Sequence, residues 1–356
     1  MEISQAAIQA IQNFKMPAEF GFGKVLSPVM VSCDYKNGAW GPLELVPYAP
    51  LTLKPVAKVF HYGQEIFEGL KAYAVDGKGP LLFRPEQNAR RFNLSAARMA
   101  MPLIPEEMFL SAVETLTSYS HKFIPTKTGE SLYIRPFMIA TEESLGIKPS
   151  EEFKFLVVAS PSGSYFSSGT LKVLIEREST RAAPGGTGAA KTGGNYAASL
   201  VSAQKVQKLG YSQTLWLDAK EHRKIEEMSG MNFFAVVNGV LTTPMLTDSI
   251  LEGITRKSIL QIAVAEGYKI SEESMDIGKL TEQILSGECT EAFACGTAAI
   301  ITPIASLHEV DGTSYSFKDS EGKLGAVLRG RLLDIQEGRS PGPDGWMRTI
   351  HPAEID

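Results

Sequence analysis

One lysine lies between two glycine-rich segments, in a stretch whose residue types could do covalent chemistry. Lys191 follows residues 185–188 (Gly-Gly-Thr-Gly) and precedes Gly193-Gly194, and an Asn195-Tyr196 pair comes next. Glycine permits positive φ angles and lets the backbone approach a ligand closely. A primary amine presented in this way can form a Schiff base with a carbonyl compound. The stretch therefore favours a nucleophilic lysine, and an ordinary lysine on a surface loop is the simpler alternative.

A phosphate-binding P-loop is a second interpretation of the same stretch. That motif needs a glycine, four residues and then Gly-Lys-Ser/Thr. Lys191-Thr192 match its end, but Ala190 precedes the lysine, and Gly193-Gly194 would interrupt the helix that must follow. A nucleoside triphosphatase is therefore disfavoured.

The composition is that of a folded globular protein with a full core. The chain has 356 residues, 44% hydrophobic and 21% charged, so two domains are expected. A net charge of −5 lacks the basic footprint of a nucleic-acid binder. No apolar run reaches the roughly 18 residues that span a bilayer, and the first residues do not resemble a signal peptide.

Cysteine and histidine usage indicates neither a metal site nor a disulfide framework. Cys33, Cys289 and Cys295 are an odd number without metal-ligand spacing, and the five histidines are scattered. Reduced thiols in a cytoplasmic protein are the natural interpretation. We therefore expect a cytoplasmic protein without a metal, a nucleic-acid partner or a membrane partner.

Apolar patterning in the first half predicts mixed α and β structure. Strands are expected at 54–60, 132–139 and 153–159, a short helix at 65–70, and a hairpin from strands at 71–75 and 81–83. Helices are expected from Pro85 and over about 105–122. Small polar residues at 160–169 predict a domain boundary. The expected division is a small N-terminal α/β domain at 1–164, a linker at 165–178, and a large C-terminal domain at 179–356 that carries Lys191.

The second half is organised around the lysine stretch. A helix is expected from Tyr196 to about 209, and a strand at 214–217. Asn238-Gly239 predicts a tight hairpin between strands at 232–237 and 240–243. A further helix is expected from 253–255 to 266, a short strand at 291–294, and a last helix at 325–337.

Two further runs, Glu-Met-Ser-Gly-Met-Asn at 227–232 and Gly-Ile-Thr-Arg at 253–256, complete a pattern with the lysine stretch. With them the chain resembles the fold-type IV pyridoxal-phosphate enzymes and, more narrowly, the branched-chain amino-acid aminotransferases. The likeness extends from about Phe20 to Pro352. It implies a two-domain α/β fold with pyridoxal 5′-phosphate in the cleft between the domains.

The resemblance also implies a reaction and an assembly. The reaction is reversible transamination of L-leucine, L-isoleucine and L-valine with 2-oxoglutarate, giving the branched 2-oxo acids and glutamate, in branched-chain amino-acid biosynthesis and degradation. The family forms at least homodimers, in which a neighbouring subunit completes part of the pocket. Another fold-type IV enzyme, such as a D-amino-acid aminotransferase or an aminodeoxychorismate lyase, is the alternative.

The resemblance assigns three residues to the cofactor ring. Lys191 is the residue that holds the cofactor as a Schiff base and shuttles the substrate proton. Tyr196 is expected to donate a hydrogen bond to the phenolic oxygen. The family's ring-nitrogen carboxylate lies five residues before the asparagine that matches Asn232, which selects Glu227. The adjacent Glu226 is expected to face solvent.

The resemblance assigns four residues to the cofactor phosphate. Ile254 and Thr255 lie at a predicted helix N-terminus, which suits an anion. Thr297 follows a second turn. Arg90 and Arg91 point about 100° apart on their helix, so only one can face inward, and the family match selects Arg91.

The substrate pocket is inferred by resemblance from aromatic residues that are far apart in sequence. Arg135 lies two residues after Tyr133, on the same face of the predicted strand. The resemblance implies that Arg135 receives the distal carboxylate of glutamate. The α-carboxylate is expected at the N–H groups of Thr297 and Ala298, helped by Tyr62. The aromatic residues expected to enclose the substrate side chain are Phe22, Tyr62, Phe67, Tyr133 and Tyr165.

Two features depart from the animal members of the family. Ser229-Gly230 replaces a Gly-Thr pair, so a pocket hydroxyl is moved or lost. Residues 298–302 read Ala-Ala-Ile-Ile-Thr where those forms carry a Cys-x-x-Cys. A thiol switch based on that motif cannot operate in this chain.

Overall fold

A computed structural model describes residues 1–163 and 169–355 of the chain. These residues form two compact units, and each is considered by itself below. The first unit comprises residues 1–163, Ala190–Gly193 and the C-terminal segment from Leu333. The second comprises residues 169–189 and Gly194–Leu332.

This division differs from the expected one at two segments of the chain. The lysine segment Ala190–Gly193 belongs to the first unit because the N–H of Phe67 donates to the carbonyl of Lys191, at 3.0 Å. The C-terminal segment belongs there because a strand at Met347–Thr349 pairs with one at Leu81–Phe83. Neither long-range pairing leaves a local signal in the sequence. The expected linker at 165–178 lies partly outside the described residues.

The strands are short to medium in length. In chain order they are β1 Glu2–Ile3, β2 Val29–Lys36, β3 Ala39–Trp40, β4 Glu44–Pro47, β5 Glu65–Phe67, β6 Leu70–Tyr73, β7 Leu81–Phe83, β8 Ser131–Ala140, β9 Phe153–Ser162, β10 Leu171–Ile175, β11 Gln213–Leu217, β12 Ile225–Met228, β13 Asn232–Val237, β14 Val240–Pro244, β15 Ile270–Glu273, β16 Cys289–Gly296, β17 Ile300–His308, β18 Ser314–Ser316 and β19 Met347–Thr349.

The helices lie between the strands in both units. In chain order they are α1 Gln5–Asn13, α2 Val59–Tyr62, α3 Pro85–Arg98, α4 Glu106–Tyr119, α5 Gly193–Ala197, α6 Leu200–Lys208, α7 Ile254–Ala265, α8 Ile277–Ser286 and α9 Lys323–Gln336. No helix within residues 1–163 and 169–355 is long and apolar enough to cross a membrane.

The first unit is built on a sheet of strand order β1-β4-β2-β9-β8-β6-β7-β19, with β3 paired to β2 and β5 paired to β8. Its core includes Phe92 of α3, Phe109 of α4 and Phe155 of β9, whose ring centroids are 5.4–6.0 Å apart. Full burial of each phenyl side chain contributes about 2 kcal/mol. This packing fixes α3, which carries Arg91, against the sheet.

The second unit is built on a sheet of strand order β12-β11-β10-β17-β16-β13-β14-β15, with β18 paired to β17. Phe234 and Phe293 face each other across the β13–β16 pair, and their rings stack with centroids 5.1 Å apart. Both side chains are fully buried. The N-terminal end of β13, the C-terminal end of β16 and the start of α7 provide the candidate site residues of this unit.

The mixed α/β fold and most of the expected elements are confirmed. Two expectations in the first half are wrong. Residues 54–60 do not form a strand; the helix α2 begins at Val59 and ends before Gly63, whose φ is +58°. Residues 65–70 are not helical, because Glu65–Phe67 pair with β8 as a strand. A short apolar run does not distinguish helix from strand by its periodicity alone.

The cysteines are placed where oxidation is disfavoured. Cys289 and Cys295 lie at opposite ends of β16, where they pair with Val237 and Asn232 of β13. Six extended intervals span roughly 20 Å, whereas a disulfide needs Cα atoms about 4.4–6.8 Å apart. All three thiols are buried. Burial raises the pKa of Cys33 to about 11 and of Cys289 to about 12, which disfavours the reactive thiolate.

We therefore expect mild oxidation to leave this protein without a Cys289–Cys295 disulfide. Activity should be the same after hydrogen peroxide and after dithiothreitol, and non-reduced peptide mapping should find both thiols reduced. Activity that falls with peroxide and returns with dithiothreitol, together with a mapped Cys289–Cys295 bond, would overturn this expectation.

Candidate active site

The backbone N–H and the backbone carbonyl of Lys191 are both hydrogen-bonded to other residues of the first unit. The Lys191 N–H donates to Ser95 Oγ of α3 at 2.9 Å, and its carbonyl accepts from Phe67 N of β5 at 3.0 Å. Thr192 Oγ1 donates to the carbonyl of Glu65 at 2.8 Å. The amine Nζ lies 4.7 Å from the centroid of the Phe67 ring. The lysine is thus presented from a fixed segment rather than from a loose surface loop.

Arg91 is the inward-facing arginine of the pair on α3. Its side chain is buried, and Nε and Nη2 donate to the Glu68 oxygens at 2.7 and 2.8 Å. Arg90 is exposed and lies 3.7 Å from Glu106. Asn88 Nδ2 donates to Glu68 at 2.7 Å. The guanidinium is therefore held in one orientation by a carboxylate that is itself hydrogen-bonded.

The Glu68 carboxyl is completely buried beside two cations. Burial alone would raise its pKa, but the charge and hydrogen bonds of Arg91, with smaller contributions from Lys191 and Asn88, lower the pKa overall. Glu68 thus supplies the negative charge that compensates the nearby cations Arg91 and Lys191. Sequence reasoning missed it, although an acidic residue inside an apolar segment is itself a signal for a buried partner.

An aromatic cluster with one cation lies on the same unit. Phe22 and Tyr133 meet edge to face with ring centroids 4.9 Å apart. Arg135 Nη2 donates to the Tyr133 hydroxyl at 3.1 Å, and its guanidinium carbon lies 4.7 Å from the centroid of the Phe67 ring. Because Lys191 contacts the same ring, five of the candidate residues form one continuous chain of contacts. The expectation that Tyr133 and Arg135 share a face of the strand is confirmed.

The remaining candidates for the substrate pocket are Tyr62, Tyr165, Thr297 and Ala298. The hydroxyl of Tyr62 donates to the carbonyl of Leu145 at 2.7 Å, and the residue is exposed. Tyr165 lies outside the described residues. Thr297 and Ala298 belong to the second unit, directly after β16, and are half-buried.

Glu227 is the buried carboxylate at the centre of the second unit's candidate residues. Its Oε1 lies 2.8 Å from Arg181 Nη2, in an ion pair buried on both sides. Its Oε2 accepts from Asn232 Nδ2 at 3.1 Å and from the N–H of Leu251 at 3.3 Å. Arg181 carried no signal in the sequence, because its partner is 46 positions along the chain. The carboxylate is thus held by a cation, an amide and a backbone donor.

The expectation that Glu226 faces solvent is wrong. All residues of β12 are buried, and Glu226 accepts a short hydrogen bond on Oε1 from the hydroxyl of Ser249. Burial raises the pKa of the Glu226 carboxyl, opposed in part by that hydrogen bond and by the charge of Arg181. A strand covered on both faces buries both of two adjacent glutamates, whereas a strand with one solvated face would bury only one.

Tyr196 and Thr297 are both placed next to the turn between β12 and β13. Gly230 has φ +77°, and a Cβ there would lie 3.8 Å from Cε1 of the Tyr196 ring. A Cβ at Gly296, which precedes Thr297, would lie 3.4 Å from the carbonyl oxygen of Gly230 and 3.4 Å from Cγ of Met231. The hydroxyl of Ser229 accepts from Trp216 Nε1 at 3.0 Å. The hydroxyl of Ser229, which this chain has in place of the Gly-Thr hydroxyl of the animal members, is therefore hydrogen-bonded to the tryptophan of β11.

The helix α7 presents its N-terminus beside the same residues. Gly253 caps it, and Ile254 and Thr255 are its first two residues, both buried. The first N–H groups of a helix have no acceptor within the helix and favour an anion. A side chain at 253 would collide with Asn232, the residue that also donates to Glu227. Asn232 therefore fixes the carboxylate and the helix start relative to each other.

A family model described as amino-transferase class IV matches residues 65–307 of the chain. The chain belongs to this family. The branched-chain-amino-acid aminotransferase of Mycolicibacterium smegmatis is 45% identical over 339 residues, which cover 93% of this chain and 92% of that protein. The family membership and the class of fold inferred from the sequence are thereby confirmed.

Solved structures of the same family are similar in fold. The branched-chain aminotransferase of the archaeon Thermoproteus uzoniensis, crystallised with norvaline, has a TM-score of 0.76 and 26% identity, covering 91% of this chain and all of that one. The T.th. branched-chain amino acid aminotransferase complexed with N-(5′-phosphopyridoxyl)-L-glutamate has a TM-score of 0.71 and 26% identity, covering 90% of this chain and 99% of that one.

The side chains present in each unit fit a pyridoxal-phosphate cofactor. In the first unit, Lys191 offers the amine and Arg91 a guanidinium for a phosphate. In the second, Glu227 offers a buried carboxylate for a protonated ring nitrogen, and the α7 N-terminus offers N–H donors for an anion. Within the described residues, no group of three or more His, Cys, Asp or Glu side chains is arranged to hold a metal ion. The guanidinium of Arg91 and the N–H donors of α7 are each suited to an anionic group.

Proposed function

We propose that this chain is a pyridoxal-phosphate-dependent branched-chain-amino-acid aminotransferase. The observation that carries the proposal is the contact chain of the first unit, in which Lys191 and Arg135 both lie against the ring of Phe67. An apolar aromatic surface suits a branched side chain, and one cation suits the second carboxylate of glutamate. The similarity to branched-chain aminotransferases over most of the chain supports it.

Each cofactor-binding residue has a physical task in this proposal. When bound, pyridoxal phosphate supplies an electron sink for the electron pair that remains when the substrate Cα loses its proton. Glu227 stabilises the positive charge on the ring nitrogen, and Tyr196 donates to the phenolic oxygen. The phosphate is bound by Arg91, by Thr297 and by the N-terminal residues Ile254 and Thr255.

Lys191 performs the two chemical tasks that need an amine. Its amine would hold the cofactor covalently, and the free amine would take up the proton from the substrate Cα and return it. A positioned general base contributes about 10²- to 10⁴-fold to a rate. The hydrogen bonds that hold the backbone N–H and carbonyl of Lys191 support this role.

The substrates are L-leucine, L-isoleucine and L-valine with their 2-oxo acids, and glutamate with 2-oxoglutarate. The α-carboxylate binds at the N–H groups of Thr297 and Ala298 with help from Tyr62. Among the described residues, the aromatic side chains proposed to enclose the substrate side chain are Phe22, Tyr62, Phe67 and Tyr133. We further propose a cytoplasmic homodimer or higher homo-oligomer, in keeping with the family resemblance.

The proposed function is tested by an absorption spectrum and then by transamination assays with a set of substrates. Purified protein with pyridoxal phosphate should show a visible absorption band that hydroxylamine removes. Transamination to 2-oxoglutarate should then be detectable with L-leucine, L-isoleucine and L-valine and not with D-alanine or with aminodeoxychorismate. Turnover of D-alanine or of aminodeoxychorismate, with the L-amino acids inactive, would favour the alternative enzymes of this fold.

We expect Arg135→Met to separate the two half-reactions. Methionine keeps much of the apolar volume but removes the cation that meets the distal carboxylate. In the half-reaction with glutamate, the transition state should lose roughly 2–4 kcal/mol of stabilisation. This is the range for truncating one partner of a buried charge pair. The half-reaction with leucine should change much less, because leucine brings no second charge.

Single-turnover spectra of the bound cofactor measure the two half-reactions separately. Phe137→Leu, two residues further along the same strand β8, controls for a general disturbance of that strand. Equal losses with leucine and glutamate would mean that Arg135 holds the α-carboxylate or the shape of the pocket instead.

A further inference from the structure

Glu65, the first residue of β5, binds the two residues that follow Lys191. Its Oε1 accepts a short hydrogen bond from the N–H of Gly193 and lies 3.2 Å from Thr192 Oγ1. Its backbone carbonyl accepts from the same hydroxyl at 2.8 Å. Thr192 is buried. Side chain and main chain of one residue thus hold consecutive residues of the lysine segment.

The glycine at 193 is explained by this contact. A Cβ added there would lie 2.5 Å from Glu65 Oε1 and 3.2 Å from Cδ of the same carboxyl group. The carboxyl group therefore occupies the space that a side chain at 193 would need. Gly193 is not among the glycines with positive φ, so its role here is to leave room for the Glu65 carboxyl group in its present position.

We propose that Glu65 is a positioning residue for Lys191, whose carboxyl group and backbone carbonyl fix the direction in which the lysine leaves the main chain. The proposal rests on the proposed role of Lys191. With Ser95 on the lysine N–H and Phe67 on its carbonyl, Glu65 completes a three-point attachment of residues 191–193. Lysine has a flexible four-carbon stem, so its amine is placed reproducibly only if its Cα is fixed.

The environment of Glu65 connects this attachment with the substrate side of the unit. Burial raises the pKa of the Glu65 carboxyl, while the hydrogen bonds from Gly193 and Thr192 and the charge of Arg135 act against that rise. Arg135 is therefore close enough to influence the carboxyl group that holds the lysine segment. Glu65 thus interacts both with the cation proposed for the glutamate carboxylate and with the segment that carries the base proposed for the Cα proton.

The first measurement needs no cofactor. Hydrogen exchange on the apoprotein, followed by mass spectrometry of peptides that contain Thr192 and Gly193, should show faster exchange in Glu65→Ala by about tenfold or more, because the acceptor of the Gly193 N–H is lost. Glu65→Gln keeps an acceptor oxygen and should remain near wild type. Glu107→Gln, an exposed glutamate of the same unit, is the control.

The second measurement uses the holoenzyme. Glu65→Ala should lower kcat for leucine by about ten- to a hundredfold, as expected for a misplaced catalytic group, with a much smaller change in KM. Glu65→Gln should restore most of the rate, and Thr192→Val, which removes only the hydroxyl donor, should lie between them. Unaltered exchange and unaltered kcat in Glu65→Ala would overturn the proposal.

Two other outcomes are informative. If Glu65→Ala and Glu65→Gln lose stability alike and KM rises with falling kcat, Glu65 is a structural residue and the proposal fails. If the wild type shows no aminotransferase activity, the proposed function fails, while the exchange result still reports whether Glu65 holds residues 192 and 193.

Discussion

Lys191→Ala should abolish transamination and leave the protein folded. The hydrogen bonds that fasten residue 191 use its backbone N–H and carbonyl, and an alanine retains both. The covalent anchor of the cofactor and the base for the Cα proton are lost together. The rate should fall by at least about 10³-fold, since a general base alone contributes roughly 10²- to 10⁴-fold.

The measurement is steady-state transamination of leucine, with circular dichroism and the free energy of unfolding of the apoprotein as checks on folding. Lys127→Ala, an exposed lysine of the same unit, is the matched control and should keep full activity. An added primary amine such as methylamine should restore part of the rate to Lys191→Ala. Turnover near that of the wild type in Lys191→Ala would refute the role of this residue.

Glu227→Gln should lower the turnover number far more than Glu226→Gln. A neutral amide cannot hold the proton on the ring nitrogen, so the electron sink is weakened. A loss of about 3 kcal/mol in transition-state stabilisation corresponds to roughly a hundredfold in rate. Glu227→Gln also removes one partner of the buried ion pair with Arg181, so some loss of stability is expected as well.

Glu226→Gln is the matched control, because the neighbouring carboxyl group is also buried but bonds to Ser249 instead of Arg181. Both variants are compared as kcat at saturating leucine and at a temperature where both are folded. If the two behave alike, or if Glu226→Gln is the more damaged, the assignment of the ring-nitrogen carboxylate to Glu227 is wrong.

Local patterns were sufficient for elements whose signals lie within a few residues. Pro85 predicted the start of α3, and Asn238-Gly239 predicted the β13–β14 hairpin. Local patterns failed at Glu65–Phe67, because the pairing of β5 with β8 depends on residues some 70 positions away. The same limit applies to the lysine segment and the C-terminal segment, whose pairings with the first unit are also long-range.

The candidate site likewise contains residues that the sequence identified and residues that it did not. Resemblance and register selected Arg91 over Arg90, and burial agrees with that choice. The residues that hold the candidate residues in place, above all Glu65, Glu68 and Arg181, gave no motif. Their partners come from distant elements, and their importance follows from buried charge that must be compensated. Glu226 was misjudged for a related reason, since alternation along a strand does not reveal that both faces are covered.

The most direct test of the account is to locate the covalent attachment of the cofactor. The protein loaded with pyridoxal phosphate is reduced with borohydride, digested and mapped by mass spectrometry. The role proposed for Lys191 predicts a phosphopyridoxyl group on the peptide that contains this residue, and loss of that label when leucine is added before the reduction. A label on another lysine, or no label in a protein that transaminates leucine, would contradict it.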